Sequence, residues 1–90
     1  MPENRKSIFK HSVVVRGHRT GISLENEFWE GLVEIAKFEK TSAARLIGEV
    51  DRVRSTVNLS SAIRVFVFSY FRLGKSRRRR WHALEEVRQR

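Results

Sequence analysis

No cysteine occurs among the 90 residues of this chain, so neither a disulfide nor a thiolate metal cluster can supplement its core. The absence suits a reducing cytoplasm. Histidine is scarce as well: His11, His18 and His82 are scattered and make a poor zinc site, so no metal and no cofactor is expected. Long apolar runs are missing. The most apolar stretch, Ala62 to Phe71, is about half of what spans a bilayer and contains Arg64. Met1 to Lys10 is polar and no secretory core follows it, so the expected location is the cytoplasm, without a membrane partner. Phosphate-cradling motifs are absent too. Gly17 and Gly21 do not make a G-x-G-x-x-G, and no G-x-x-x-x-G-K-[ST] exists. The acidic residues fall mainly at the spacings of a solvated helix face, and His18 beside Ser12 or Ser23 is a nucleophile pair on paper only. Catalysis has little support, and the chain reads as a non-enzyme.

What is present is positive charge, unevenly placed. Residues 1–19 carry five Lys/Arg against one acid, residues 72–90 carry eight against two, and the segment between them is close to neutral within a net charge of +9. Solubility alone could explain a charge far from zero. Arginines clustered at the ends point further, to a polyanion partner. A single domain of this length has a marginal core unless something adds to it, and with disulfides and metal set aside the remaining supplement is a second copy of the chain.

Along the chain, residues 1–11 read as a loose basic arm. Val13, Val14 and Val15 favour extended structure up to Gly17, where the chain can bend; they either extend the next strand or form a separate edge piece. In His18 to Leu24, Arg19, Gly21 and Ser23 alternate with Thr20, Ile22 and Leu24, the period of two that separates a polar from an apolar strand face. So short a strand needs a partner. Phe28, Leu32, Ile35 and Ala36, flanked by Trp29 and Val33, then follow helical spacing, which predicts a helix from about Glu25 to Glu39 with Ser23 as a candidate N-cap and Glu30 and Glu34 on its outer face. Thr41-Ser42 offers caps for a second helix that runs to about Arg54 with Leu46, Ile47, Val50 and Val53 on one side. A third helix is expected after Ser60-Ser61, apolar on nearly every side from Ala62 to Phe71 and ended by Gly74. Two short helices would leave such an element uncovered, a second argument for a dimer. Residues 74–90 form an Arg-rich helical tail in which Ser76 can cap and Trp81, Leu84 and Val87 share a face.

Two such strands paired antiparallel would form a ribbon whose apolar face lies over the helices and whose polar face fits the B-DNA major groove. Arg19 would then project outward, able to bind guanine O6 and N7, with Ser23 a permissive reader. The start of the second helix, near Thr41 and Ser42 and with Arg45 beside it, could hold a backbone phosphate on its free N–H groups.

The succession His18-Arg19-Thr20-Gly21-Ile22-Ser23-Leu24-Glu25, Phe28-Trp29 with Leu32 and Ile35-Ala36, Leu46-Ile47, and Asn58-Leu59-Ser60-Ser61-Ala62 resembles the bacterial ribbon-helix-helix (Arc/MetJ-like) DNA-binding domain family over about Ser12 to Arg72. The resemblance implies a mainly α fold in which one short N-terminal strand pairs across an intertwined homodimer. It covers a domain at residues 12–73 that includes an additional apolar helix and is followed by the basic C-terminal helix of residues 74–90. It also implies base contacts from Arg19, Gly21 and Ser23, where Gly21 departs from the usual pattern by having no side chain, and phosphate contacts near Thr41 and Ser42. A tail with Arg77, Arg78, Arg79 and Arg80 could hold flanking phosphates. The expected function is that of a dimeric, sequence-specific transcriptional regulator of the repressor type, acting on double-stranded DNA in the nucleoid. Two rivals stand beside it: an antitoxin-like or adaptor module that grips a protein partner, and a sequence-indifferent architectural protein.

Overall fold

The chain builds its own two-stranded ribbon. In the computed structural model, which describes residues 8–55 and 57–90, strand β1 (Ile8–Val15) pairs antiparallel with strand β2 (His18–Glu25), and helices α1 (Asn26–Phe38), α2 (Ala43–Val53), α3 (Leu59–Arg72) and α4 (Arg79–Arg88) follow. Within the chain, β2 thus has β1 as a partner strand. The valine cluster is the end of β1, and β1 begins at Ile8, inside the stretch read as an arm; residues 1–7 of that arm lie outside the described residues.

A two-residue turn makes this pairing local. Val15 lies opposite His18, and Arg16 and Gly17 between them both have positive φ, +52° and +85°. That is the backbone of a type I′ turn, whose twist matches that of the strands it joins. Arg16 also reaches Asp51 of α2, at 3.5 Å.

Register then sorts the side chains. Partners opposite one another share a face, so Phe9, His11, Val13 and Val15 join Leu24, Ile22, Thr20 and His18 toward the helices, while Lys10, Ser12 and Val14 join Ser23, Gly21 and Arg19 on the outside. Ile22 and Leu24 are fully buried, and the His11 ring stacks on Trp29 of α1 at 3.9 Å.

The helices start and stop close to where their spacing predicts. Ser42 caps α2, its Oγ accepting the Arg45 N–H at 3.1 Å, and Asn58 caps α3 through the Ser61 N–H at 2.9 Å. Ser23 does not cap α1: it lies within β2, and the N-cap position is held by Glu25, whose carboxylate instead receives Arg64 of α3 at 2.8 Å. At the other end of α1, Lys40 sits at φ +56° while the Thr41 N–H reaches the Ala36 carbonyl at 2.9 Å and the Lys40 N–H the Lys37 carbonyl at 3.2 Å. This is a Schellman closure with a side chain where glycine is at ease. Lys40→Gly should therefore raise stability by about 0.5–1 kcal/mol, after the extra freedom glycine gives the unfolded chain is subtracted; a rise of a few degrees in the thermal midpoint would show it.

α3 is the central helix. Ala62, Ile63, Phe66, Val67, Ser69 and Tyr70 are all buried, and α1, α2 and α4 pack around it. Gly31 lets α1 approach closely, since a Cβ there would lie 2.9 Å from Val67. The cover that a second copy was expected to supply comes largely from α4, whose Ala83 and Val87 are buried. Phe68 and Phe71 stay exposed. Trp81, expected on the inner face of the tail, is 54% exposed, because the buried stripe of α4 runs through Ala83 and Val87.

Tyr70 ties three elements together. Its hydroxyl donates to Glu39 Oε2 at 2.6 Å, and the Arg79 guanidinium lies 4.0 Å over its ring. Burial, and next the bond to the Glu39 carboxylate, raise the phenol above its usual pKa. The neutral form is the one the fold favours, so this contribution is full below the unfolded phenol's pKa and is lost as pH rises through the higher folded value. Tyr70→Phe should cost about 1–3 kcal/mol at neutral pH. Urea melts of both proteins should give a difference that is constant at neutral pH and shrinks above about pH 10.

Candidate nucleic-acid interface

The outer face of the hairpin is a small polar platform backed by the core. Arg19 and Ser23 of β2 are exposed on it with Gly21 between them, as the alternation of the sequence predicts. From β1 come two residues that the sequence reading did not select, Lys10 and Ser12. Ser12 Oγ accepts from Arg19 Nη1 at 3.2 Å, which orients the guanidinium across the strands. Lys10 lies over the gap left by Gly21, its Cε 3.4 Å from where a Cβ of residue 21 would be. The lysine stem thus packs across the ribbon over Gly21, at van der Waals distance from where a Cβ would be. The signal for both was present as the alternation of Phe9, His11 and Val13 with Lys10, Ser12 and Val14, and it becomes legible once Gly17 is read as a turn.

The backbone of β2 is used on its far side too. In a two-residue hairpin the pair closing the turn exchanges hydrogen bonds, so from Val15 and His18 onward the N–H of Ser23 points away from β1. It donates to Ser60 Oγ at the start of α3, at 3.3 Å. The position of Ser23 is therefore fixed by the third helix, while its side chain remains on the outer face.

At the start of α2, Ser42 and Arg45 are exposed and Thr41 is half-buried. Ser42 serves the helix as its cap, and Thr41 belongs to the closure of α1. The first-turn N–H groups of α2 other than that of Arg45 have no partner within the helix, and Arg45 adds a cation beside them.

The four tail arginines do not form one patch. Arg77 and Arg78 are exposed. Arg79 donates to the Gly74 carbonyl and covers Tyr70. Arg80 bonds Glu49 through Nε at 3.0 Å and through Nη2, and lies 3.5 Å from Glu39. The hydrogen bond to Glu49 holds its guanidinium more firmly protonated than usual, against the opposing effect of burial. Arg79 and Arg80, expected at DNA phosphates, are occupied within the fold, because α4 lies against α2 and α3 and does not extend as a tail.

Among the described residues no group of three His, Asp or Glu is placed to hold a metal ion, and no helix is long and apolar enough to cross a membrane. A family model described as a ribbon-helix-helix domain matches residues 8–71, from the first residue of β1 almost to the end of α3. Neither a curated protein nor a solved structure matches the chain.

Proposed function

The chain belongs to the ribbon-helix-helix family, whose general activity is DNA binding, and we propose that it is a transcriptional regulator that reads the major groove with the outer face of its β1–β2 hairpin. The observation that carries this reading is the polar outer face itself: Arg19 and Ser23 stand exposed beside Lys10 and Ser12, on strands whose opposite face is locked into the core. A two-stranded ribbon fits the groove, and here a single chain provides one. Arg19 reads guanine, Ser23 contacts a base edge permissively, and Lys10 crosses over Gly21 to reach the bases or a phosphate. Ser42 and Arg45, with the first turn of α2 and Thr41 behind it, hold the flanking backbone.

A dimer in this reading joins two chains that each carry a complete ribbon, so that two hairpins address the two halves of a symmetric site. The exposed Phe68 and Phe71 are apolar surface for such a contact. Sedimentation of the purified chain reads this directly.

Arg19→Ala should lower the preference for a selected DNA site over random DNA by about 1–3 kcal/mol. Fragments selected from genomic DNA, then titrated by fluorescence anisotropy at fixed salt, provide the measurement. Equal loss on selected and random DNA would overturn the reading and leave a sequence-indifferent binder.

A further inference from the structure

Between the second half of α2 and the start of α4 lies a groove of about 510 Å³, within the roughly 300–1,000 Å³ range typical of small-molecule sites. Four arginines line it, Arg52, Arg77, Arg78 and Arg80, against two glutamates, Glu39 and Glu49. Arg80 occupies both glutamates. Arg52, Arg77 and Arg78 have no ion-pair partner among the described residues, and four arginines against two glutamates leave the groove with a net charge of +2. The rest of the lining is apolar, from Val53, Leu84 and the half-exposed indole of Trp81, with Arg78 at 5.8 Å from its ring.

The combination narrows the ligand chemistry. A simple anion would leave the indole and the apolar lining unused. An uncharged apolar ligand would take water from guanidinium groups without replacing it. A flat aromatic body joined to a multiply charged phosphate chain satisfies both, because a base stacks on an indole and phosphate oxygens accept from the planar fork of arginine. We propose that this groove binds a free nucleoside polyphosphate, with the base on Trp81 and the phosphates on Arg52, Arg77 and Arg78. The site lies on α2, α4 and the connection that leads into α4, while the ribbon is made of β1 and β2, and its occupancy does not depend on how the hairpin reads DNA.

Titration calorimetry of the full chain with ATP, GTP, inorganic tripolyphosphate and adenosine tests the proposal. Saturable binding of a nucleoside triphosphate is expected, with tripolyphosphate and adenosine each weaker by about tenfold or more, since each makes half of the contacts. Trp81→Ala should weaken ATP binding by about fivefold to a hundredfold, the range measured for loss of one stacked base. Arg52→Gln, on a different helix, should weaken it by a comparable factor with the circular dichroism spectrum unchanged, which keeps the test available if the Trp81 variant folds poorly. Tripolyphosphate binding as tightly as ATP, or no saturable binding at millimolar nucleotide, would overturn the proposal. A third arm separates a free nucleotide from the DNA backbone. If the paired Arg77→Gln and Arg78→Gln changes abolish ATP binding and leave the salt dependence of duplex binding intact, the free nucleotide is the ligand. If they flatten that salt dependence by about two phosphate contacts and ATP does not compete with duplex, the groove belongs to DNA and the proposal fails. Failure of the hairpin reading would instead appear in the Arg19 titration, which these variants do not touch.

Discussion

Replacing Arg80 with glutamine is expected to lower the unfolding free energy by about 2–3 kcal/mol, whereas Arg77→Gln, three positions away in the same basic run, should leave it within about 0.5 kcal/mol. The difference comes from what each guanidinium faces. Arg80 stands between Glu49 and Glu39, and Glu39 in turn receives the Tyr70 hydroxyl. Without the cation, two carboxylates of about one-quarter exposure are left next to each other with a phenol as their remaining donor. A fully buried pair broken in this way costs about 3–5 kcal/mol, and partial solvent access reduces the figure. Arg80→Lys should recover only part of the loss, because an ammonium cannot hold a carboxylate with a two-pronged fork. Urea melts followed by circular dichroism give the numbers. Adding Glu49→Gln to the Arg80→Gln variant should restore stability, since the isolated charge is the source of the cost. If the two effects simply add, the network is ornamental and Arg80 is available to other partners.

This division within one run of arginines marks where the sequence stops being legible. The partner that decides the role of Arg80 lies 31 positions away on another helix, and no local pattern carries that information. Nearby elements are different. The periods of α1, α2 and α3, the cap at Ser42 and the stop at Gly74 follow from short-range spacing and were readable, as was the outward face of Arg19 and Ser23. The second strand was half-visible. Three consecutive valines blur an alternation of two, Ile8, Phe9 and Val14 are exposed although apolar, and Arg16-Gly17 is an unusual pair for a turn that favours Asn-Gly or Asp-Gly. Hence the spacing of His18 to Leu24 asks for a partner strand without revealing that the chain supplies one ten positions before it. Lys10 and Ser12 were missed with that strand, and with them the side chains that complete the outer face around Gly21.

The inner face of α4 was misjudged for a related reason, and a charge scan of the helix is the sharpest way to show it. Val87→Asp should destabilise the protein by about 4 kcal/mol or more, because Val87 is 1% exposed and a carboxylate there loses its water with nothing designed to replace it. The same aspartate at Trp81, the largest apolar residue of the tail, should cost no more than about 1–2 kcal/mol, since the indole is more than half exposed and its loss removes only partial contacts. Helical spacing alone places Trp81 and Val87 on one face and predicts a large loss at both, because it weighs a side chain by its size and apolarity while burial depends on which side of the helix meets α3. Small Ala83 is the residue against which α4 closes, fully buried with Ser69 and Tyr70 of α3. A solvated tail would tolerate both substitutions. If Val87→Asp melts within a degree or two of the parent, α4 does not cover α3 in solution, the apolar surface of α3 becomes available to a second copy, and the groove between α2 and α4 has no wall. If it melts far below the parent while Trp81→Asp does not, the helix beyond the residues that match the family is part of the core, and a chain cut at Arg72 would lack the cover that the central helix requires.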